Sequence, residues 1–209
     1  MYSIYKNSLS QTKGRLAYKE LFDKNIIKKE LSREKPLKTH PKQKLKKELR
    51  DYVIEDKIKF SKNFYRFWFT FIEPNIEDLK AKKYENILKI IDLEFEKFVS
   101  LEFENLSEKL IMKSFHQNKN FGSFWTKDVE IDLLFKTNDN LLIAGEAKWK
   151  NHKICKNILT ILQKKCARER LEIDYFALFS KSGFSKELYK QKDKKLLLFE
   201  LKDFKVLYM

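Results

Sequence analysis

From residue 77 to residue 113 the chain contains no proline and no glycine, and Tyr84, Ile87, Leu88, Ile91, Phe95, Val99, Leu106 and Leu110 recur at three- and four-residue steps. Apolar residues at that spacing line one side of a helix, which predicts one long amphipathic helix or two in succession. The C-terminal remainder of the chain alternates between period two and period 3.6. Strands are expected at 120–125, 129–136, 141–149, 173–179 and 196–201, with helices at 154–168 and near 185–190. The order from the long helix onward is α-β-β-β-α-β, an α/β domain built on a mixed sheet.

The N-terminal region is different in kind. Residues 1–72 carry 19 Lys/Arg against 8 Asp/Glu, so most of the formal net charge of +15 is N-terminal. Ser10 is placed to cap a short helix running to about Phe22, and IIKKEL after it reads as a strand. Lys24 to Arg50 includes Pro36 and Pro41 and reads as a loop or ribbon between short elements. A helix followed by a basic ribbon suggests a winged-helix segment in which the chain begins part-way. The run KFSKNFYRFWFTFI at residues 59–72 supports two readings: bases stacked on aromatics beside Lys62 and Arg66, or, more simply, a buried connector. The expected division is 1–75, a basic winged-helix-like segment with its aromatic connector, and 76–209, the α/β domain.

Several functions are excluded at this level. The four glycines are scattered, so there is no P-loop and no dinucleotide-binding fingerprint. Cys155 and Cys166 match no metal-ligand spacing, and the N-terminus has no apolar signal core, so a cytoplasmic protein is expected. No uncharged apolar run is long enough to span a bilayer, so no membrane partner is expected. The positive charge points to a polyanion, first of all nucleic acid. Lys42, Lys44, Lys46, Lys47 and Arg50 are the candidate backbone contacts; being mostly lysines, they would position a duplex without reading its sequence.

The chemistry is expected in two strands. VEIDLLFK sets Glu130 and Asp132 on one face, LLIAGEAKWK does the same for Glu146 and Lys148, and Thr137 to Asn140 is a plausible hairpin turn between them. With the turn centred near Asp139, Asp132 falls opposite Glu146 and Glu130 opposite Lys148. Paired residues have Cβ atoms about 4.5 to 5.5 Å apart, within reach of one divalent cation. The acid-x-lysine pattern is common in this chain, recurring for example at Glu55/Lys57 and Glu200/Lys202, so a solvated sheet face with a Glu130/Lys148 pair is the competing reading.

Long helix, then E-I-D-L-L-F, then G-E-A-K-W-K resembles the PD-(D/E)XK, or restriction-endonuclease-like, nucleases. The resemblance is closer to the nuclease-like C-terminal domain of unknown function found on archaeal-type ATPases. Phe64 to Asn75, Phe103-Glu104, Phe124-Trp125, Glu130-Ile131-Asp132 and Glu146-Ala147-Lys148-Trp149 fill the places of that family's motifs. The resemblance implies a Mg²⁺-dependent endonuclease, with Mn²⁺ as a substitute, acting on double-stranded DNA. Asp132 and Glu146 would be the metal ligands, Lys148 the catalytic lysine and Glu104 the acid from the first helix. Helical periodicity counted from Phe95 favours Glu102 instead. Expected partners are DNA and either a separate ATPase or a second copy of the chain. A non-catalytic DNA-binding or docking module, and a nuclease acting on RNA, are the alternatives.

Overall fold

The computed structural model describes residues 10–38, 40–116, 122–191 and 195–208. Contacts gather the chain into two units that interleave in sequence, Met1–Glu30 with Asp56–Leu93 and Leu31–Glu55 with Glu94–Met209, rather than into halves meeting at residue 75.

In the first unit, helix α1 (Gln11–Asp23) begins where expected: the Ser10 hydroxyl accepts the Lys13 N–H at 3.4 Å. Lys24 closes it and Asn25, in the left-handed region at φ 52°, reverses the chain. Strand β1 (Ile27–Glu30) then pairs antiparallel with β2 (Lys57–Phe60), Ile27 opposite Phe60, and Lys59 bonds Glu30 at 2.7 Å across the pair. After β2 come α2 (Asn63–Phe67), a π-helical turn (Trp68–Ile72), a 3-10 turn (Glu73–Asn75) and α3 (Ile76–Lys80). The aromatic run is therefore mostly helical and is not the buried connector expected. Phe71 is fully buried, but Phe64 is 63% exposed, Trp68 37% and Phe69 41%. Successive residues turn about 100° around a helix, so an unbroken aromatic run wraps all sides and cannot bury them all.

Helix α4 (Tyr84–Ser114) is the long helix, and the boundary between units falls within it. Its apolar stripe is only partly the core. Leu88 and Phe95 are exposed, whereas Ile87 and, further on, Phe103, Leu110 and Ile111 are buried.

In the second unit the core elements follow the expected order. They are β3 (Phe124–Trp125), β4 (Glu130–Ile131), β5 (Leu133–Lys136), β6 (Leu142–Lys148), α5 (Lys156–Arg168), β7 (Tyr175–Ser180), α6 (Lys186–Lys190) and β8 (Leu196–Glu200), closed by a 3-10 helix (Leu201–Tyr208). Of the strand expected at 120–125, residues 120 and 121 lie outside the described residues. β5, β6, β7 and β8 form a mixed four-stranded sheet in that order: β5 runs antiparallel to β6, and β6, β7 and β8 are parallel. The β5–β6 hairpin has the register its turn dictates, Leu133 opposite Gly145 and Lys136 opposite Leu142. Thr137 organises that turn by accepting the Leu141 N–H on its hydroxyl at 3.0 Å, with Asn140 left-handed at φ 64°.

Alternation along the strands divides the core. Leu134, Ala144 and Leu178 face α5 through Leu159, Leu162 and Cys166; Leu133, Ile143, Ala147, Ala177 and Phe179 face α4 through Phe103, Leu110 and Ile111. The segment Leu31–Glu55 is tied into this unit at both ends by Trp125. Its N–H donates to the Ser32 hydroxyl at 2.9 Å, and its indole Nε1 donates to the Glu55 carbonyl at 2.8 Å.

Candidate active site

The expected strand 129–136 is broken at Asp132, and this break makes the site. Before it, β4 pairs with β3, Glu130 opposite Trp125; after it, β5 pairs with β6. Glu130 therefore does not face Lys148, and the cross-strand Glu130/Lys148 pair is corrected: Lys148 lies opposite Ser180 of β7, and Glu130 is exposed. At the break the Asp132 carboxylate accepts the Ala147 N–H at 3.0 Å, taking a backbone donor just beyond the last β5–β6 pair. A short acidic side chain competing with the backbone for such a donor is a usual way for a ladder to end.

Glu146 and Lys148 follow Ala144 at two-residue steps, so they share the α5 side of β6. Lys148 Nζ donates to Glu146 Oε1 at 2.7 Å and lies 3.5 Å from Asp132 Oδ2. The two carboxylates thus converge on one ammonium. Glu146 is almost wholly buried, its side chain 7% exposed, and Asp132 is little more open at 15%. Burial pushes the Asp132 carboxyl above its ordinary range and the charge of Glu146 pushes the same way, outweighing Lys148, the Ala147 N–H and Lys165. Burial opposes the charge on Lys148, yet Asp132 and Glu146 hold its ammonium above the usual lysine value.

Sequence reasoning missed Lys165. It lies on α5 three residues after the buried Leu162 and directly before the buried Cys166, at the margin of the helix face packed on the sheet. From there Nζ reaches both oxygens of Glu146, at 2.9 and 3.1 Å. The signal was present in the spacing Leu159, Leu162, Cys166, which sets Lys165 beside the apolar stripe. Gln163, on the same helix, is exposed.

Glu104 is half-buried on α4, which packs on the opposite side of the sheet from Glu146 and Lys148. Its neighbour Phe103 packs on Trp149 at the end of β6, ring centroids 5.2 Å apart, and Glu104 does not join Asp132 and Glu146 in a metal-holding group of three. The wheel that favours Glu102 is counted from Phe95, which is 48% exposed, and Glu102 is half-buried like Glu104. Counted from Phe103, Glu104 falls within about 20° of the fully buried Ile111, and Glu102 on the far flank. Trp149 itself is held between Phe103 and Lys181, whose Nζ stands 4.5 Å from the indole centroid.

The donor set suits a hard cation. Two carboxylates, with the remaining positions left to water, are the ligands Mg²⁺ ordinarily takes, and an ammonium already stands between them where positive charge is needed. Among the described residues no group of three or more His, Cys, Asp or Glu could hold a metal, so a structural zinc site does not fit. The basic residues Lys42, Lys44, Lys46, Lys47 and Arg50 are all exposed, and they belong to the same compact unit as the carboxylates. A cavity of about 310 Å³ in the first unit, walled by Tyr18, Leu21, Ile27, Ile58, Lys59, Phe60 and Phe69, is mainly apolar and carries none of these acids.

Residues 68–165 match a family model, DUF234, described as archaea bacterial proteins of unknown function. No curated protein matches the chain. Among solved structures, a repair endonuclease from Pyrococcus abyssi is similar over 44% of this chain and 44% of its own, at 14% identity and a TM-score of 0.32. No helix among the described residues is long and apolar enough to cross a membrane.

Proposed function

We propose that the chain is a divalent-metal-dependent nuclease of the PD-(D/E)XK type that hydrolyses phosphodiester bonds of DNA. The observation that carries the reading is the convergence of the largely buried Asp132 and Glu146 carboxylates on the Lys148 ammonium. Asp132 and Glu146 would hold Mg²⁺, or Mn²⁺ in its place, with Glu104 as the acid contributed by α4. Bound there, the metal would lower the pKa of a coordinated water and neutralise charge on the scissile phosphate. Asp132, kept in place by the Ala147 N–H, and Glu146, kept in place by Lys165, supply a pre-set carboxylate pair. Lys148 Nζ, released from one carboxylate, orients the attacking water and meets developing negative charge.

In the same proposal, Lys42, Lys44, Lys46, Lys47 and Arg50 hold a duplex through its phosphates. The helix and two-stranded ribbon of the first unit act as a winged-helix-like module, and an ATPase or a second copy of the chain is the protein partner. A non-catalytic DNA-binding module is the second reading. It is favoured by one observation: two lysines already neutralise the two carboxylates without any metal.

Incubating the protein with plasmid and with RNA, in Mg²⁺ or in EDTA, separates the readings. EDTA-sensitive cutting of plasmid that disappears in Asp132→Ala and Lys148→Ala is the expected result. Cutting of RNA alone would transfer the proposal to RNA. Retention of DNA with no cutting in Mg²⁺ would leave the binding module.

A further inference from the structure

Glu146 is held by two ammonium groups rather than one. Lys148, from its own strand, donates to Oε1 at 2.7 Å, and Lys165, from α5, donates to Oε2 at 2.9 Å and to Oε1 at 3.1 Å. Both carboxylate oxygens are thereby taken in a place where water has little access, since the Glu146 side chain is 7% exposed. Asp132 makes its ion pair with Lys148, at 3.5 Å. The two lysines thus divide the work: Lys148 links the carboxylates, and Lys165 serves Glu146.

A divalent cation that takes Glu146 as a ligand must share its carboxylate with Lys165, which already contacts both oxygens. It must also come close to an ammonium whose repulsion grows as the local dielectric falls. Lys148 lies on the same strand two residues away and cannot leave the neighbourhood. Lys165 has a flexible four-carbon stem rooted on a helix, and a quarter of its side chain is already exposed, so it is the group that can swing out.

Resting on the nuclease reading above, we propose that Lys165 is a built-in competitor of the divalent cation. It holds Glu146 in place while the metal is absent and sets the metal concentration at which the site fills. Lys165 acts through Glu146 and is a positioning residue.

The test is Mn²⁺ binding, followed by loss of the free-ion paramagnetic resonance signal, on the full chain without nucleic acid. The proteins are wild type, Lys165→Met, Lys165→Gln and Lys165→Arg, with circular dichroism to show that each is folded. Lys165→Gln serves where the methionine variant fails to fold. Both neutral variants are expected to bind Mn²⁺ about tenfold more tightly than wild type, which is about 1.4 kcal/mol. Lys165→Arg is expected to return to the wild-type value, and adding Asp132→Asn to Lys165→Met to abolish the gain. Equal or weaker Mn²⁺ binding in the neutral variants, with saturable binding in wild type, overturns the role of Lys165 and leaves the metal site standing. Absence of saturable binding in every protein overturns the metal site and this inference with it.

Discussion

Replacing Lys148 with methionine keeps most of the stem that packs along β6 and deletes the charge between the two buried carboxylates. Truncating one partner of a buried ion pair typically costs about 3–5 kcal/mol, because the other charge is left uncompensated. Here Lys148 is 24% exposed and Glu146 keeps Lys165, so a loss of about 2 kcal/mol is expected near neutral pH, roughly 6 °C of melting temperature for a unit of this size. The loss should depend on pH in a definite direction. Asp132 in the folded protein already binds its proton more tightly than the ordinary carboxyl at 3.8, because burial and Glu146 disfavour its charge. A carboxyl raised on folding removes stability as pH rises from its unfolded value through its folded value. Without Lys148 the folded value climbs further and the window extends upward. The deficit relative to wild type should therefore be larger at higher pH and shrink as the pH is lowered and Asp132 takes up a proton. Lys148 in the wild type stays charged throughout, since its own pKa is raised above 10.5. Urea unfolding followed by fluorescence as a function of pH is the assay. A deficit of the same size at every pH would mean that lost packing and not charge is responsible, and no deficit would mean that the carboxylates do not depend on this ammonium.

Gly145 allows close packing at the centre of the sheet: a Cβ there would meet the Ala177 carbonyl oxygen, Leu133 Cδ2 and Phe179 Cε2, each at 3.3 Å. Gly145→Ala should cost about 1–3 kcal/mol by overpacking, read as a lower urea midpoint, and an unchanged midpoint would contradict the packing described. The two thiols should separate cleanly. Burial pushes Cys166 up to about 12 while Cys155 is exposed, so a disulfide reagent at about pH 8 should modify one thiol per native chain and two after unfolding. Changing Lys42, Lys44, Lys46, Lys47 and Arg50 to alanine should flatten the dependence of log K on log salt for DNA binding by about 0.9 for each lost phosphate contact, and an unaltered slope would remove this cluster from the interface.

The order of elements in the second unit was legible because each carries its own period. α5 alternates buried and exposed residues at helical steps, β6 is a short apolar strand bounded by turn residues, and the Thr137–Asn140 turn sets the β5–β6 register from within. The aromatic run and the stripe of α4 were read less well, since an apolar side chain declares that it can be buried but not which element will cover it. Leu88, Phe95 and Phe64 remain exposed, whereas Phe103 finds Trp149 and Phe204. Likewise nothing near Ser32 in sequence points to Trp125, 93 residues away, yet that indole anchors the basic segment to the unit carrying the carboxylates.

The α-β-β-β-α-β order, the basic N-terminal third and the acid-x-lysine strand are written in the sequence, because each depends only on neighbours along the chain. It took the folded protein to break the strand at Asp132, to turn Glu130 away toward Trp125, and to bring Lys165 from another element onto Glu146. The positions of these largely buried charges depend on which helix covers which side of the sheet. That choice is made by shape and burial summed over the whole core, and no local period encodes it.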